Sequence, residues 1–160
     1  MYTIEDGMLH YKSCGLPDVW LKGGFVKEET PYGETISIHD MDGLHKVLGI
    51  KIAKDKPHLS SKEFRFLRIE LDMSQNTLAN ILGVSESTIR NWENDRTNEI
   101  TLSAERLLRT IYITKVNDEY NGDCHIRELV EHISQLNRDA HWGRMELIEN
   151  KDGWSAHVAA

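Results

Sequence analysis

Two hydrophobic periodicities run along the chain and predict different elements. Apolar residues spaced three and four apart predict four amphipathic helices, at about 40–53, 60–71, 103–116 and 126–136. Short stretches with strand-forming residues between turn signals predict strands, at about 8–11, 25–30, 35–38, 145–149 and 154–158, and residues 14–21 predict a turn that leads into a further strand. The last two strands flank a turn that contains Gly153, which is typical of a β-hairpin. The pattern as a whole predicts an α+β fold.

Residues 73–94 add two short helices joined by a tight turn. Ser74 and Ser85 are placed to cap them, because a serine oxygen accepts the unpaired N–H groups of a first helical turn. Gly83 is expected to end the first helix, since a left-handed backbone is inexpensive only for glycine. The apolar faces of the two helices consist of Leu78, Ala79, Leu82, Val84, Ile89 and Trp92.

This pair of helices resembles the helix-turn-helix of the lambda-repressor-like (Xre) family. The resemblance rests on Leu71, Ser74-Gln75, Leu78-Ala79, Leu82-Gly83-Val84-Ser85, Thr88-Ile89 and Trp92-Glu93-Asn94. It implies a five-helix DNA-binding domain over about residues 58–117 and a transcriptional regulator, most simply a repressor. An ordinary helical hairpin is the alternative, but it would not require all of these residues together.

The same resemblance, with side-chain chemistry, predicts which residues contact DNA. Arg90 can bind O6 and N7 of guanine, Asn91 can bind N6 and N7 of adenine, and Glu86 can accept from N4 of cytosine. Asn94 and Arg96 suit phosphate contacts. Some of these side chains could instead only solvate an exposed helix face. The predicted DNA-binding residues are Gln75, Ser85, Glu86, Ser87, Thr88, Arg90, Asn91, Asn94 and Arg96.

The charge distribution changes the expected strength of that binding. The net charge is −7, whereas affinity for DNA comes largely from phosphate neutralisation. Residues 59–116 carry 8 basic and 8 acidic side chains, and residues 117–160 carry 4 and 9, so the acidic excess lies outside the helix-turn-helix. Glu86 would repel phosphate unless it reads a base or is neutralised by Arg90, four residues on. Local attraction is expected from Lys62, Arg65, Arg68, Arg90 and Arg96.

Three regions follow from these patterns. Residues 1–56 are expected to form a small β-meander closed by one helix, residues 57–117 the helix-turn-helix domain, and residues 118–160 a helix and a β-hairpin. A lone hairpin is marginally stable in water, so it should pair with the N-terminal strands or with a second subunit. The apolar Tyr112 and Ile113 favour a homodimer surface built from the helix that carries them together with the C-terminal region. Such a dimer would bind a palindromic operator in double-stranded DNA.

A strand-rich start followed by an Xre-like domain resembles the arrangement of MqsA-type antitoxins. Those proteins hold zinc with Cys-x-x-Cys pairs, whereas this chain has only Cys14 and Cys124, so we expect no metal and no cofactor. The resemblance favours an antitoxin that represses its own operon and binds a toxin protein, to which an acidic C-terminal region would be suited. The alternative is a stand-alone regulator whose N-terminal domain senses a ligand or binds another protein.

The sequence gives only weak signals for metal binding or catalysis. The segment 39–45 combines histidine with aspartate, which could bind metal or transfer protons, but Asp40 is already explained as a helix cap. No activated nucleophile is recognisable, so we expect no catalytic residue and no enzyme.

Without an apolar run long enough for a bilayer or an N-terminal leader, we expect a cytoplasmic protein with no membrane partner. Core packing, rather than ligand stacking, is expected for Trp20, Phe25, Tyr32 and Trp154.

Overall fold

The computed structural model describes residues 2–95, 99–119 and 125–159, which form two compact units. One unit is Met1–Leu48 with Trp142–Ala160, and the other is Gly49–His141. The predicted three-part division at residues 56 and 117 stays a prediction. The strands are β1 (Thr3–Glu5), β2 (Met8–His10), β3 (Val19–Lys22), β4 (Phe25–Thr30), β5 (Gly33–Ile38), β6 (Met145–Asn150) and β7 (Gly153–Val158). The helices are α1 (Met41–Asp55), α2 (Ser61–Glu70), α3 (Gln75–Leu82), α4 (Glu86–Glu93), α5 (Leu102–Glu119) and α6 (Ile126–Ser134).

The first unit is built on a five-stranded mixed sheet in the order β1-β2-β3-β6-β7. Strand β3 pairs in parallel with β6, with Val19 opposite Met145 and Leu21 opposite Leu147. The C-terminal hairpin therefore joins the N-terminal strands, which is one of the two pairings left open by the sequence. The expected single N-terminal meander is wrong, because β3 pairs with β6 and not with β4. The apolar face of β6 explains this, since it extends the buried row that starts on β2 and β3.

Strands β4 and β5 form a separate two-stranded hairpin. At its base, the backbone N–H of His39 donates to the Gly24 carbonyl at 2.8 Å, and the Trp154 indole N–H donates to the His39 carbonyl at 3.1 Å. Gly24 must be glycine at φ +72°, because an added Cβ would overlap the Trp154 ring. Tyr32, at the tip of the hairpin, is fully exposed, so its predicted core role is wrong: the turn carries it away from the sheet.

The two faces of the five-stranded sheet differ. Leu9, Leu21 and Leu147 lie side by side across three strands and are at most 1% exposed. This is the core face of the unit. The other face carries Trp20 and Glu146, which are directly opposite each other on β3 and β6. Leu21 and Trp20 lie on opposite faces because successive side chains along a strand point to opposite sides of the sheet.

The second unit contains the C-terminal half of α1 with helices α2 to α6. Four helices, α2 to α5, are described between residues 58 and 119, and α5 is 18 residues long. The five-helix domain that the resemblance implies stays a prediction. Tyr112 and Ile113 are buried within this unit, so they do not form the apolar surface that was expected. Tyr112 lies against Gly49 of α1, where an added Cβ would overlap its hydroxyl group.

A buried charged group ties α5 to the end of α1. Arg109 donates to the carbonyls of Ala53 and Lys56, and its guanidinium forms an ion pair with Glu105 at 2.7 Å. Burial lowers the pKa of Arg109 from its ordinary value, which its hydrogen bond with Glu105 partly offsets. These contacts place α5 firmly against the chain that leads into α2.

Candidate nucleic-acid interface

Serine caps set the starts of the three helices around the predicted helix-turn-helix. Ser60 and Glu63 form a capping box at α2. Ser74 accepts a hydrogen bond from the Thr77 N–H at the start of α3, and Ser85 accepts one from the Thr88 N–H at the start of α4. Each cap satisfies a donor that the helix itself leaves unpaired.

The turn between α3 and α4 follows from Gly83, which adopts the left-handed conformation at φ +72° and ends α3. The helices then pack through a small apolar core. Phe64 of α2 meets Trp92 of α4 edge to face, with ring centroids 5.7 Å apart. Leu78 and Ala79 of α3 are buried, as is Ile89 of α4. Because one face of α4 is buried in this way, its opposite face points to solvent.

Eight of the nine predicted contact residues are among the described residues, and five of these eight are exposed. Ser85, Glu86, Ser87, Arg90 and Asn94 are exposed on or beside α4. A further three residues, Gln75, Thr88 and Asn91, are half-buried. The remaining one, Arg96, lies outside the described residues. Seven of these eight lie in α4 or at its caps, and Gln75 begins α3. Helix α4 has eight residues, and a helix has a width that fits the major groove of DNA.

Intramolecular bonds already engage several of these side chains. Gln75 donates from Nε2 to Oε1 of Glu93 at 3.3 Å, which links the start of α3 to the end of α4. Glu86 forms an ion pair with Arg90 at 3.6 Å, the neutralisation that the i, i+4 spacing predicts. The Asn76 amide lies 3.4 Å from the other carboxylate oxygen of Glu86. DNA binding must compete with these bonds.

Asn76 was not among the predicted contact residues. It is exposed on α3, and its Oδ1 accepts from the Asn80 amide at 3.4 Å. The two asparagines are four residues apart on a helix, so they share a face. The shared face could be predicted from the sequence, whereas the contact of Asn76 with Glu86 joins two helices and could not.

The basic side chains do not act as one group. Lys62 and Arg65 are exposed on α2, and Arg65 also lies 4.0 Å from the Glu93 carboxylate. Arg68 is different, because its guanidinium donates to both carboxylate oxygens of Glu93 and to the Met73 carbonyl. Its side chain is 12% exposed. The expectation that Arg68 adds to a DNA-facing charge is therefore wrong: its charge is used to neutralise a buried acid.

Residues 64–109 match a family model described as helix-turn-helix. The match spans α2 to α4 and the first half of α5, less than a third of the chain. Comparison with curated proteins and with solved structures gave no match. The helix-turn-helix domain suggests a DNA-binding transcriptional regulator, and its family is one of regulators rather than enzymes. An MqsA-like arrangement stays a prediction.

The other candidate chemistry has structural partners in the first unit. His39 forms an ion pair with Glu149, and His45 shares a hydrogen bond of 2.7 Å with the Tyr11 hydroxyl. Asp40 accepts from the Gly43 N–H at 3.1 Å, as its predicted capping role requires. In the described part of the chain, no three His, Cys, Asp or Glu side chains are placed to hold a metal ion, and no helix is long and apolar enough to cross a membrane. Cys124 lies outside the described residues.

Proposed function

We propose that this protein is a sequence-specific transcriptional repressor that binds a palindromic operator as a homodimer. The observation that carries the proposal is the outer face of α4. It presents Glu86, Ser87 and Arg90 to solvent, while Ile89 and Trp92 fix the opposite face in the core. These side chains can discriminate base pairs by their hydrogen-bonding groups in the major groove. Binding to the promoter would then exclude the transcription machinery.

A homodimer is part of the proposal because one short helix reads only a few base pairs. Two copies related by a twofold axis would place their α4 helices in successive major grooves, about 34 Å apart. The neutral charge balance of residues 59–116 supports the same view, since nonspecific attraction to phosphate is weak in such a domain. Specific contacts, made twice, would supply the affinity.

Selection from random double-stranded DNA tests the repressor directly. The full chain should enrich a motif of two inverted half-sites whose centres are about 10 base pairs apart. Footprinting of the enriched site should then show protection on one face of the duplex. Recovery of no common motif, or of a single half-site without symmetry, would count against the proposal.

We further propose that the repressor is the antitoxin of a toxin–antitoxin operon. The acidic excess of residues 117–160 supports this role, because it would speed and orient binding to a basic toxin. Co-expression with the product of the adjacent gene is the test. A stable complex of fixed stoichiometry supports the antitoxin. A monodisperse repressor with no complex favours instead a stand-alone regulator whose first unit senses a ligand or another protein.

A further inference from the structure

Strand β7 lies at one edge of the five-stranded sheet, and the direction of its backbone groups can be derived. The Met145 N–H donates to the Asp18 carbonyl, so Met145 points its backbone toward β3. The Ala159 N–H donates to the Arg144 carbonyl, so Arg144 points its backbone toward the β7 side. Backbone groups alternate sides along a strand. Residues 155 and 157 therefore bond to β6, and residues 154, 156 and 158 point away from the sheet.

The outward groups of β7 are available for pairing. Among the described residues, no backbone or side-chain group bonds the backbone N–H or C=O of Trp154, Ala156 or Val158. The strand is six residues long and contains no Lys, Asp, Glu or Pro, the residues that usually block an exposed edge. The opposite edge, β1, has only three residues and ends in Glu5. Strand β7 is thus the unprotected edge of this sheet.

We propose that β7 pairs with β7 of a second copy of the chain, antiparallel about Ala156. This pairing would join two five-stranded sheets into one continuous sheet. It rests on the homodimer of the proposed function and names the surface that holds it. Residues 154 and 158 would then be opposite each other in the two copies, Ala156 would be opposite Ala156, and Ser155 would be opposite His157.

Self-pairing in this register brings together no incompatible side chains. Trp154 is 7% exposed and its ring already packs against Gly24 of its own chain, so its position opposite Val158 adds backbone hydrogen bonds and little side-chain contact. Ala156 is small enough to meet its own copy at the twofold axis. Ser155 and His157 are exposed and can share a hydrogen bond. Because β7 has no Lys, Arg, Asp or Glu, two copies meet without like charges, which is why we favour a second copy over an acidic or basic partner strand.

Proline at position 156 tests the pairing in the full chain. Ala156→Pro removes an outward N–H and leaves the bonds between β6 and β7 intact. Glu29→Pro is the matched control, since the bond from the His39 N–H to the Gly24 carbonyl shows that Glu29 also points its N–H away from its partner strand. Sedimentation should show a dimer for the wild type and for the Glu29→Pro control. Ala156→Pro should raise the dimer dissociation constant about tenfold or more.

A cross-link keeps the test decisive if the proline variant fails to fold. Paired strands place opposite Cα atoms about 5.5 Å apart, within the range of a disulfide. Ala156→Cys should therefore form a covalent dimer on mild oxidation, well above the level of the wild type with its own cysteines. A wild-type monomer, or a dimer that neither substitution affects, overturns the inference. In the second case the repressor proposal stands, because operator binding is measured separately. Capture of a foreign strand by β7 in place of self-pairing would also overturn it.

Discussion

Arg68 of α2 and Glu93 of α4 form a two-point ion pair inside the helix-turn-helix domain. The Arg68 Nε lies 2.7 Å from Oε2 of Glu93, and Nη2 lies 2.8 Å from Oε1. The Glu93 side chain is only 2% exposed. Planar pairs of this kind fix orientation as well as distance. The pair therefore sets the position of the end of α4 relative to α2.

Breaking this pair should destabilise the domain. Arg68→Met leaves the Glu93 carboxylate buried without its main partner, which should cost about 3–5 kcal/mol of unfolding free energy. The urea midpoint of the full chain measures the loss. Arg65→Met is the control, because Arg65 is 62% exposed and 4.0 Å from Glu93, and it should change stability by less than about 1 kcal/mol. Equal effects of the two substitutions would show that the pair has no special role.

The Ser85 cap should contribute to the stability of the domain. Ser85→Ala removes the acceptor for the Thr88 N–H and should cost about 1 kcal/mol of unfolding free energy. Ser85→Asn should keep most of that stability, since asparagine is an equally good cap. A thermal or urea unfolding curve distinguishes the two. If asparagine is as damaging as alanine, the hydroxyl group does not act as a cap.

Glu86 should lower nonspecific affinity and raise selectivity. Its ion pair with Arg90 at 3.6 Å restrains the arginine, and its charge repels phosphate. Glu86→Gln should therefore tighten binding to random DNA. It should also steepen the slope of log affinity against log salt concentration by about one, which corresponds to one more counterion released on binding. The ratio of operator to random affinity should fall. Fluorescence anisotropy across a salt series measures all three, and an unchanged salt slope would contradict this role.

Arg90 and Asn91 should each recognise a particular base. Arg90→Ala and Asn91→Ala should each lose about 1–3 kcal/mol of discrimination at one base pair of the selected site. Lys62→Ala, on the exposed part of α2, should instead weaken all sequences alike. Binding to a set of single-base operator variants makes the comparison. A uniform loss for Arg90→Ala would reassign that side chain to phosphate.

The helix-turn-helix could be predicted because its signals are local. Ser74, Gly83 and Ser85 each act on the backbone of residues within one helical turn in the sequence. The two caps and the turn can therefore be predicted from the sequence. The same kind of signal was available in Asp6-Gly7 and was missed. Both residues adopt positive φ and form the turn between β1 and β2.

The tertiary relationships could not be read in the same way. The pairing of Val19 with Met145 joins strands far apart in the sequence, and nothing local distinguishes it from pairing between subunits. Tyr112 was expected at a surface because the sequence of α5 does not show that a further helix packs against that side of it. The partner is α1, where Gly49 provides the space. The pairing of Arg68 with the buried Glu93 could not be predicted for the same reason, because it joins two different helices.

Sequence-specific binding by α4 is tested most directly by a titration of the full chain against two DNA duplexes. One carries the region upstream of its own gene, and the other has the same base composition in shuffled order. The protein should bind the first duplex more tightly at every salt concentration, and both affinities should fall as the salt concentration rises. Equal affinity for the two duplexes throughout the series would show that the binding is not sequence-specific.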